Sequence, residues 1–210
     1  MNLVKILSLS ALALSFSTHA ADMKLPSNFK LMALNGKEVD QKVLDSLPAG
    51  KNQMVIEYSK ILRDGNGTRS YESKPHIFDL MIEQDSDSYE LDIKTFRKYE
   101  KAREAFEKEK VQWKLLKNGS PQAISIQVLP GKEGFFPYAD LEQVIKSYNQ
   151  DKGIVLTSSG VMDITESAVT INKAGKVEIT GDSVTQLKLW YSKATKAERK
   201  EFRRWMIDQE

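Results

Sequence analysis

The 210-residue sequence carries 31 Lys and Arg against 29 Asp and Glu, a formal net charge of +2, with 40% hydrophobic and 29% charged residues. That composition excludes wholesale disorder, and the near-balance of charge argues against a general nucleic-acid binder. With no cysteine and two histidines, the chain has no disulfides, thiol nucleophile, cysteine-ligated zinc or cysteine acylation, and too few imidazoles for a multi-histidine metal site.

Residues 1–20 read as a secretory signal peptide. Lys5 supplies the positive start, Ile6 to Phe16 is apolar apart from small serines, and Thr18 and Ala20 are the small residues a signal peptidase reads. Cleavage is expected after Ala20. The apolar run is shorter than the ~20 residues a spanning helix needs, and no later segment is apolar enough to span. The expected location is the periplasm of a bacterium, with secretion beyond the outer membrane as an extension. Loss of the leader removes His19 and leaves His76 as the sole imidazole.

Residues 21–95 read as a β-rich unit. Phe29 to Leu34 is closed by the hairpin-type turn Asn35-Gly36, and Pro48-Ala49-Gly50 is a further break. Met54, Ile56 and Tyr58 alternate with Val55, Glu57 and Ser59. Asp64-Gly65-Asn66-Gly67 is a strong turn. Phe78, Leu80 and Ile82 alternate, as do Tyr89, Leu91 and Ile93. This pattern predicts an antiparallel sheet or small sandwich.

Residues 96–210 read as a helix-rich α+β unit sharing one core with the first. Arg97 to Lys117 has no Gly or Pro and predicts one helix, stopped by Asn118-Gly119, with Phe96, Tyr99, Ala102, Phe106 and Trp113 inward. Ile124, Ile126 and Val128 predict a strand. Asp140 to Asn149 predicts a helix with Leu141, Val144, Ile145 and Tyr148 inward. Ile154 to Leu156 fits a strand or a helix-to-loop transition. Ala168–Ile171 and Val177–Ile179 predict a hairpin around Ala174-Gly175. Two capping boxes, Ser183 with Gln186 and Thr195 with Glu198, open two final helices. Their expected buried residues are Leu187, Trp190, Tyr191 and Ala194, then Phe202, Trp205 and Met206. The fold class expected overall is α+β, with an N-terminal sheet or sandwich followed by a helix-rich C-terminal half.

The chain offers little reactive chemistry. It has no nucleophile elbow and no phosphate-binding glycine loop. His76 stands without a spaced partner for a catalytic triad. Glu83, Asp85, Asp87 and Glu90 form an acidic turn of the kind hard cations favour, but without the EF-hand glycine and terminal glutamate. No cofactor, metal site or catalytic residue is expected, although paired carboxylates leave a hydrolase open as a lesser reading. Two stretches suit binding. Phe135, Phe136 and Tyr138 lie in a proline-bearing loop and either cover the core or form a patch for sugars or peptide strands. Lys196, Arg199, Lys200, Arg203 and Arg204 concentrate positive charge at the end of the chain, fit for an acidic partner or anionic lipid.

Several motifs in order carry a resemblance. They are Leu47-Pro48-Ala49-Gly50-Lys51-Asn52-Gln53 leading to Tyr58, then Ser73-Lys74-Pro75, Ala105-Phe106-Glu107 with Trp113, and Leu187-Lys188-Leu189-Trp190-Tyr191 followed by Phe202 and Trp205. Together they resemble the family of small secreted bacterial proteins that includes the curli synthesis inhibitor. The resemblance implies a Gram-negative periplasm and interference with assembly of an extracellular amyloid fibre, and it offers no catalytic residues to carry over. The expected protein is therefore a non-enzymatic interaction partner of an envelope or exported polypeptide, fibre subunits included. An envelope-glycan or anionic-lipid binder is the alternative.

Overall fold

The computed structural model describes residues 20–157, 160–163, 169–171, 177–179 and 183–207. The predicted leader, Ala20 excepted, and the turn Ala174-Gly175 lie outside the described residues, as does the side chain of Gln186. Among the described residues no helix is long and apolar enough to cross a membrane.

Two sheets form most of the structure. Strands β1 (Asp22–Lys24), β7 (Ser88–Ile93), β8 (Trp113–Lys117) and β9 (Ser120–Gln122) form one, in the order β1-β7-β8-β9. The other runs β10 (Gln127–Val128), β6 (His76–Ile82), β4 (Gly50–Asp64), β2 (Phe29–Leu34) and β3 (Lys37–Glu38). Strand β5 (Gly67–Glu72) pairs with the distal part of β4, Ser59 to Asp64. Pairing is antiparallel except for β1, which lies parallel to β7.

Local turn chemistry sets these hairpins. Asn35 and Gly36 both have positive φ, 49° and 80°, as a two-residue type I′ turn requires. Asn118 and Gly119 repeat it at 50° and 79°. Between β4 and β5, Gly65 alone turns left-handed, at 56°. A register shift between Leu31 and Ala33 marks a bulge in β2. Beyond it, Met32 and Ala33 serve one face of the sheet while Leu34 returns to the other.

The period-2 pattern sorts side chains into two cores. Met54, Ile56 and Tyr58 of β4, with Phe78, Leu80 and Ile82 of β6, meet Tyr89, Leu91 and Ile93 of β7 and Leu115 of β8 between the sheets. Helix α1 (Tyr99–Glu107) closes the end of that core with Tyr99, Ala102 and Phe106. The opposite face of β4 buries Val55 against Ile77, Leu129 and helix α2 (Leu141–Lys152), which contributes Leu141, Val144 and Ile145. A central sheet covered on both faces explains why β4 reads as a nearly unbroken apolar run from Met54 to Ile56. Within it Gln53, 1% exposed, exchanges two hydrogen bonds with Asn149 of α2, at 2.7 and 2.9 Å.

The second half of the chain is not helix-rich, contrary to expectation. The helix predicted over 97–117 ends at Glu107. Glu109 adopts φ 51°, and Trp113–Lys117 is strand β8, paired with β7. Asn118-Gly119 is thus a hairpin turn to β9 rather than a helix stop. High helix propensity from Lys108 to Lys117 yields here to the open edge of β7, along which Val111, Trp113 and Leu115 bring apolar side chains to the first core. The predicted strand 124–128 shortens to β10. Ile154–Leu156 resolves as strand: β11 (Ile154–Thr157) pairs with β12 (Gly160–Asp163), and β13 (Val169–Ile171) with β14 (Val177–Ile179). Helices α3 (Ser183–Lys193) and α4 (Lys196–Ile207) end the described chain.

Candidate binding surfaces

The acidic turn resolves into an ion-pair knot. Asp87, 3% exposed, has Lys117 Nζ at 3.0 Å from Oδ2, accepts from the Gln84 N–H at 3.1 Å, and accepts from Asn118 Nδ2 at 3.0 Å. Burial pushes its carboxyl up, but these hydrogen bonds outweigh it and hold the group below the usual range. Lys117 also pairs with Glu83. The position a cation would take beside Asp87 is therefore occupied by an ammonium.

His76 is buried, 4% exposed, between the rings of Phe106 and Trp113. Its Nδ1 lies 2.7 Å from the Lys74 carbonyl, which can only accept, so Nδ1 carries the proton. Burial holds the imidazole below its ordinary value, against the raising influence of that hydrogen bond and of the Glu109 charge. It is a core residue. Glu57 is held above the usual carboxylate range by burial and by the Glu72 charge beside it. Neither carboxylate lines the two recesses described below.

The aromatic loop divides. Tyr138 packs on the second core and donates to the Leu129 carbonyl at 2.8 Å. Phe135 and Phe136 are 99% and 83% exposed and do not cover the core.

The terminal helices depart most from expectation. Thr195 and Glu198 form the predicted capping box, with Thr195 N–H to Glu198 Oε2 at 2.6 Å and Glu198 N–H to Thr195 Oγ1 at 3.3 Å. Yet of the apolar residues expected to be buried only Ala194 and Phe202 are half-buried; Leu187 is 55%, Trp190 62% and Trp205 55% exposed, and Tyr191 and Met206 are exposed too. Tyr191 of α3 meets Phe202 of α4 at 6.2 Å with Arg199 of α4 over its ring, and Phe202 stacks on Trp205 within α4 at 5.6 Å.

Between α2, β11 and this helix pair runs a groove of about 850 Å³, floored by Val155, Leu156, Leu187, Phe202 and Met206. It continues into a second recess of about 820 Å³ through shared residues that include Lys146, Tyr191, Arg199 and Arg203. Lys196 lines the second recess, where Asp151 is the one acid. The predicted cationic residues thus separate: Lys196, Arg199 and Arg203 face the recess together with Lys146 of α2, while Lys200 and Arg204 do not line it. Lys146 carried no signal in the sequence, because its role depends on packing across the chain.

Strand β5 offers a different surface. Among the described residues it has one strand neighbour, β4. In the antiparallel ladder closed by Asp64 and Gly67, the backbones of Thr68, Ser70 and Glu72 face away from β4. The edge strands of the two larger sheets, β1, β3, β9 and β10, are two or three residues long, and β9 carries Pro121.

Comparison with known proteins adds the family. The model described as "Uncharacterized protein conserved in bacteria (DUF2057)" matches residues 22–205. A UPF0319 protein of Vibrio vulnificus (strain CMCP6) is 32% identical over 213 residues, 99% of this chain and 100% of the relative. A UPF0319 protein of Vibrio cholerae is 31% identical over 224 residues, with 95% and 96% covered, and one of Histophilus somni (strain 129Pt) is 25% identical over 221 residues, with 97% and 96% covered. No solved structure matches. The chain belongs to the DUF2057/UPF0319 family of bacterial proteins, whose relatives here come from Gram-negative species.

Proposed function

We propose that this protein is a non-enzymatic periplasmic factor that binds an exported polypeptide in extended form and holds it back from assembly. The observation that carries the reading is β5: a six-residue strand with one strand neighbour among the described residues, presenting the backbones of Thr68, Ser70 and Glu72 outward. A strand added there gains main-chain hydrogen bonds without disturbing the cores. The resemblance to the curli synthesis inhibitor family favours amyloid-fibre subunits as the partner, since such subunits expose strand edges in transit. The exposed rings of Phe135 and Phe136 supply a further sticky surface for the same partner.

A second reading places the terminal helices on an anionic membrane. Exposed Trp190 and Trp205 accompany Lys196, Lys200, Arg203 and Arg204, the composition of an interfacial helix pair.

The test is fibre growth of a purified curli-type subunit in the presence of this protein, followed by thioflavin fluorescence. The wild type lengthens the lag phase. Ser70→Pro removes an outward N–H and blocks strand addition while leaving the β4–β5 ladder bonds in place, so it restores the lag of subunit alone. Normal growth with wild-type protein, together with no binding to the unpolymerised subunit, would refute the proposal. Flotation with phosphatidylglycerol vesicles tests the second reading.

A further inference from the structure

The groove beneath the terminal helices has the build of a small-molecule site, and this observation is independent of the β5 edge. Its two recesses differ in chemistry. The first, about 850 Å³, is floored by Val155, Leu156, Leu187, Phe202 and Met206, and its size falls in the class that encloses one ligand. The second, about 820 Å³, is bordered by Lys146, Lys196, Arg199 and Arg203 against Asp151.

Three of its cations are not paired with carboxylates in the way surface lysines elsewhere in the chain are. Lys37 pairs with Glu142 and Lys132 with Asp140 at the other end of the groove. Among the described residues Lys146, Lys196 and Arg203 have no carboxylate within 4.0 Å. Two helices and the 194–195 corner bring them together: Arg199 Nε donates to the Ala194 carbonyl at 2.9 Å, which fixes α4 against the corner so that Arg203, one turn on, faces the same recess. An apolar trough that opens into a cluster of cations matches one kind of molecule: an acyl chain with an anionic head. Several cations for one acid favour a phosphate head over a single carboxylate. The size of the trough suits one chain rather than two.

We infer that the groove between α2, β11 and the α3–α4 pair binds a monoacyl phospholipid with an anionic head, its chain on Leu156, Leu187 and Met206 and its phosphate between Lys146, Lys196 and Arg203. Such molecules arise when a phospholipid loses one chain in the envelope. Leu187 and Met206, exposed in the protein alone, then lie against the ligand.

Isothermal titration with 1-palmitoyl lysophosphatidylglycerol below its micelle concentration tests this. The expected result is saturable one-to-one binding. Shortening the chain by two methylenes weakens it roughly tenfold. The choline-headed analogue of equal chain length binds at least tenfold more weakly, and glycerol phosphate alone does not bind. Lys146→Gln with Arg203→Gln removes the preference for the anionic head. Leu187→Glu, at an exposed position that the fold tolerates, abolishes uptake of the chain. Equal affinity for both heads, unchanged binding by Leu187→Glu, or binding to phosphatidylglycerol vesicles without uptake of monomers would each overturn the inference.

Discussion

Tyr58 sits at the centre of the aromatic core, within ring contact of Phe29, Tyr71, Phe96 and Phe106. Its hydroxyl is buried and, among the described residues, has no hydrogen-bond partner; burial pushes it up to about 12. An unpaired buried hydroxyl costs free energy that a phenyl ring does not. Tyr58→Phe is therefore expected to stabilise the protein by about 1 kcal/mol, read as a higher thermal midpoint. The Gln53–Asn149 pair carries the opposite lesson. Gln53→Met strands the Asn149 amide and costs about 2 kcal/mol, and adding Asn149→Leu recovers more than half of that, because removing both partners leaves no orphan. His76 introduces a pH dependence. Its folded value lies below the ordinary 6.5, so as pH falls the unfolded chain takes up the proton first. Stability that is full above 6.5 is lost as pH drops through the folded value. Thermal melts between about pH 7 and 5 should show a steeper loss for wild type than for His76→Gln.

Among the elements, the hairpins show what sequence can and cannot reveal. Asn35-Gly36 was legible because both residues are φ-positive formers flanked by an apolar run. Asn118-Gly119 has the same chemistry, yet it follows a stretch rich in Lys and Glu, so it reads equally as the end of a helix. The deciding factor, β7 waiting with an open edge, lies more than twenty residues upstream. The alternation Val111, Trp113, Leu115 was the local clue. The two turns also make separable predictions. A Cβ at Gly119 meets nothing within 4 Å, so Gly119→Ala costs only its left-handed backbone, about 1 kcal/mol. At Gly36 an added Cβ would collide with Leu156 Cδ1. Gly36→Ala is expected to cost more in chemical denaturation and to shift β11, which floors the groove.

At the scale of the whole molecule, stability is uneven. β4 is covered on both faces, while α4 has no buried residue. Amide exchange should be slowest in β4 and β6 and fastest in α4, by several orders of magnitude; uniform protection would show that the helix pair is integrated with the cores. The same unevenness explains why the binding surfaces were only half legible. Lys196, Arg199, Arg203, Phe135 and Phe136 stood out by composition, but Lys146, the groove floor and the β5 edge exist only once distant segments meet. The parallel pairing of β1 with β7 has its own consequence for how the chain reaches this state. Ser88 and Asp22, 66 positions apart, are joined by a hydrogen bond, and Ala21 is fully buried beside Leu47. Closing so long a loop is entropically slow. The first strand is therefore expected to dock late, after β7 and β8 have paired, leaving one edge of β7 unpaired until then. Refolding should show a slow final phase sensitive to substitutions in β1, such as Met23→Ala, during which the chain has the same kind of open strand edge that its proposed partners expose.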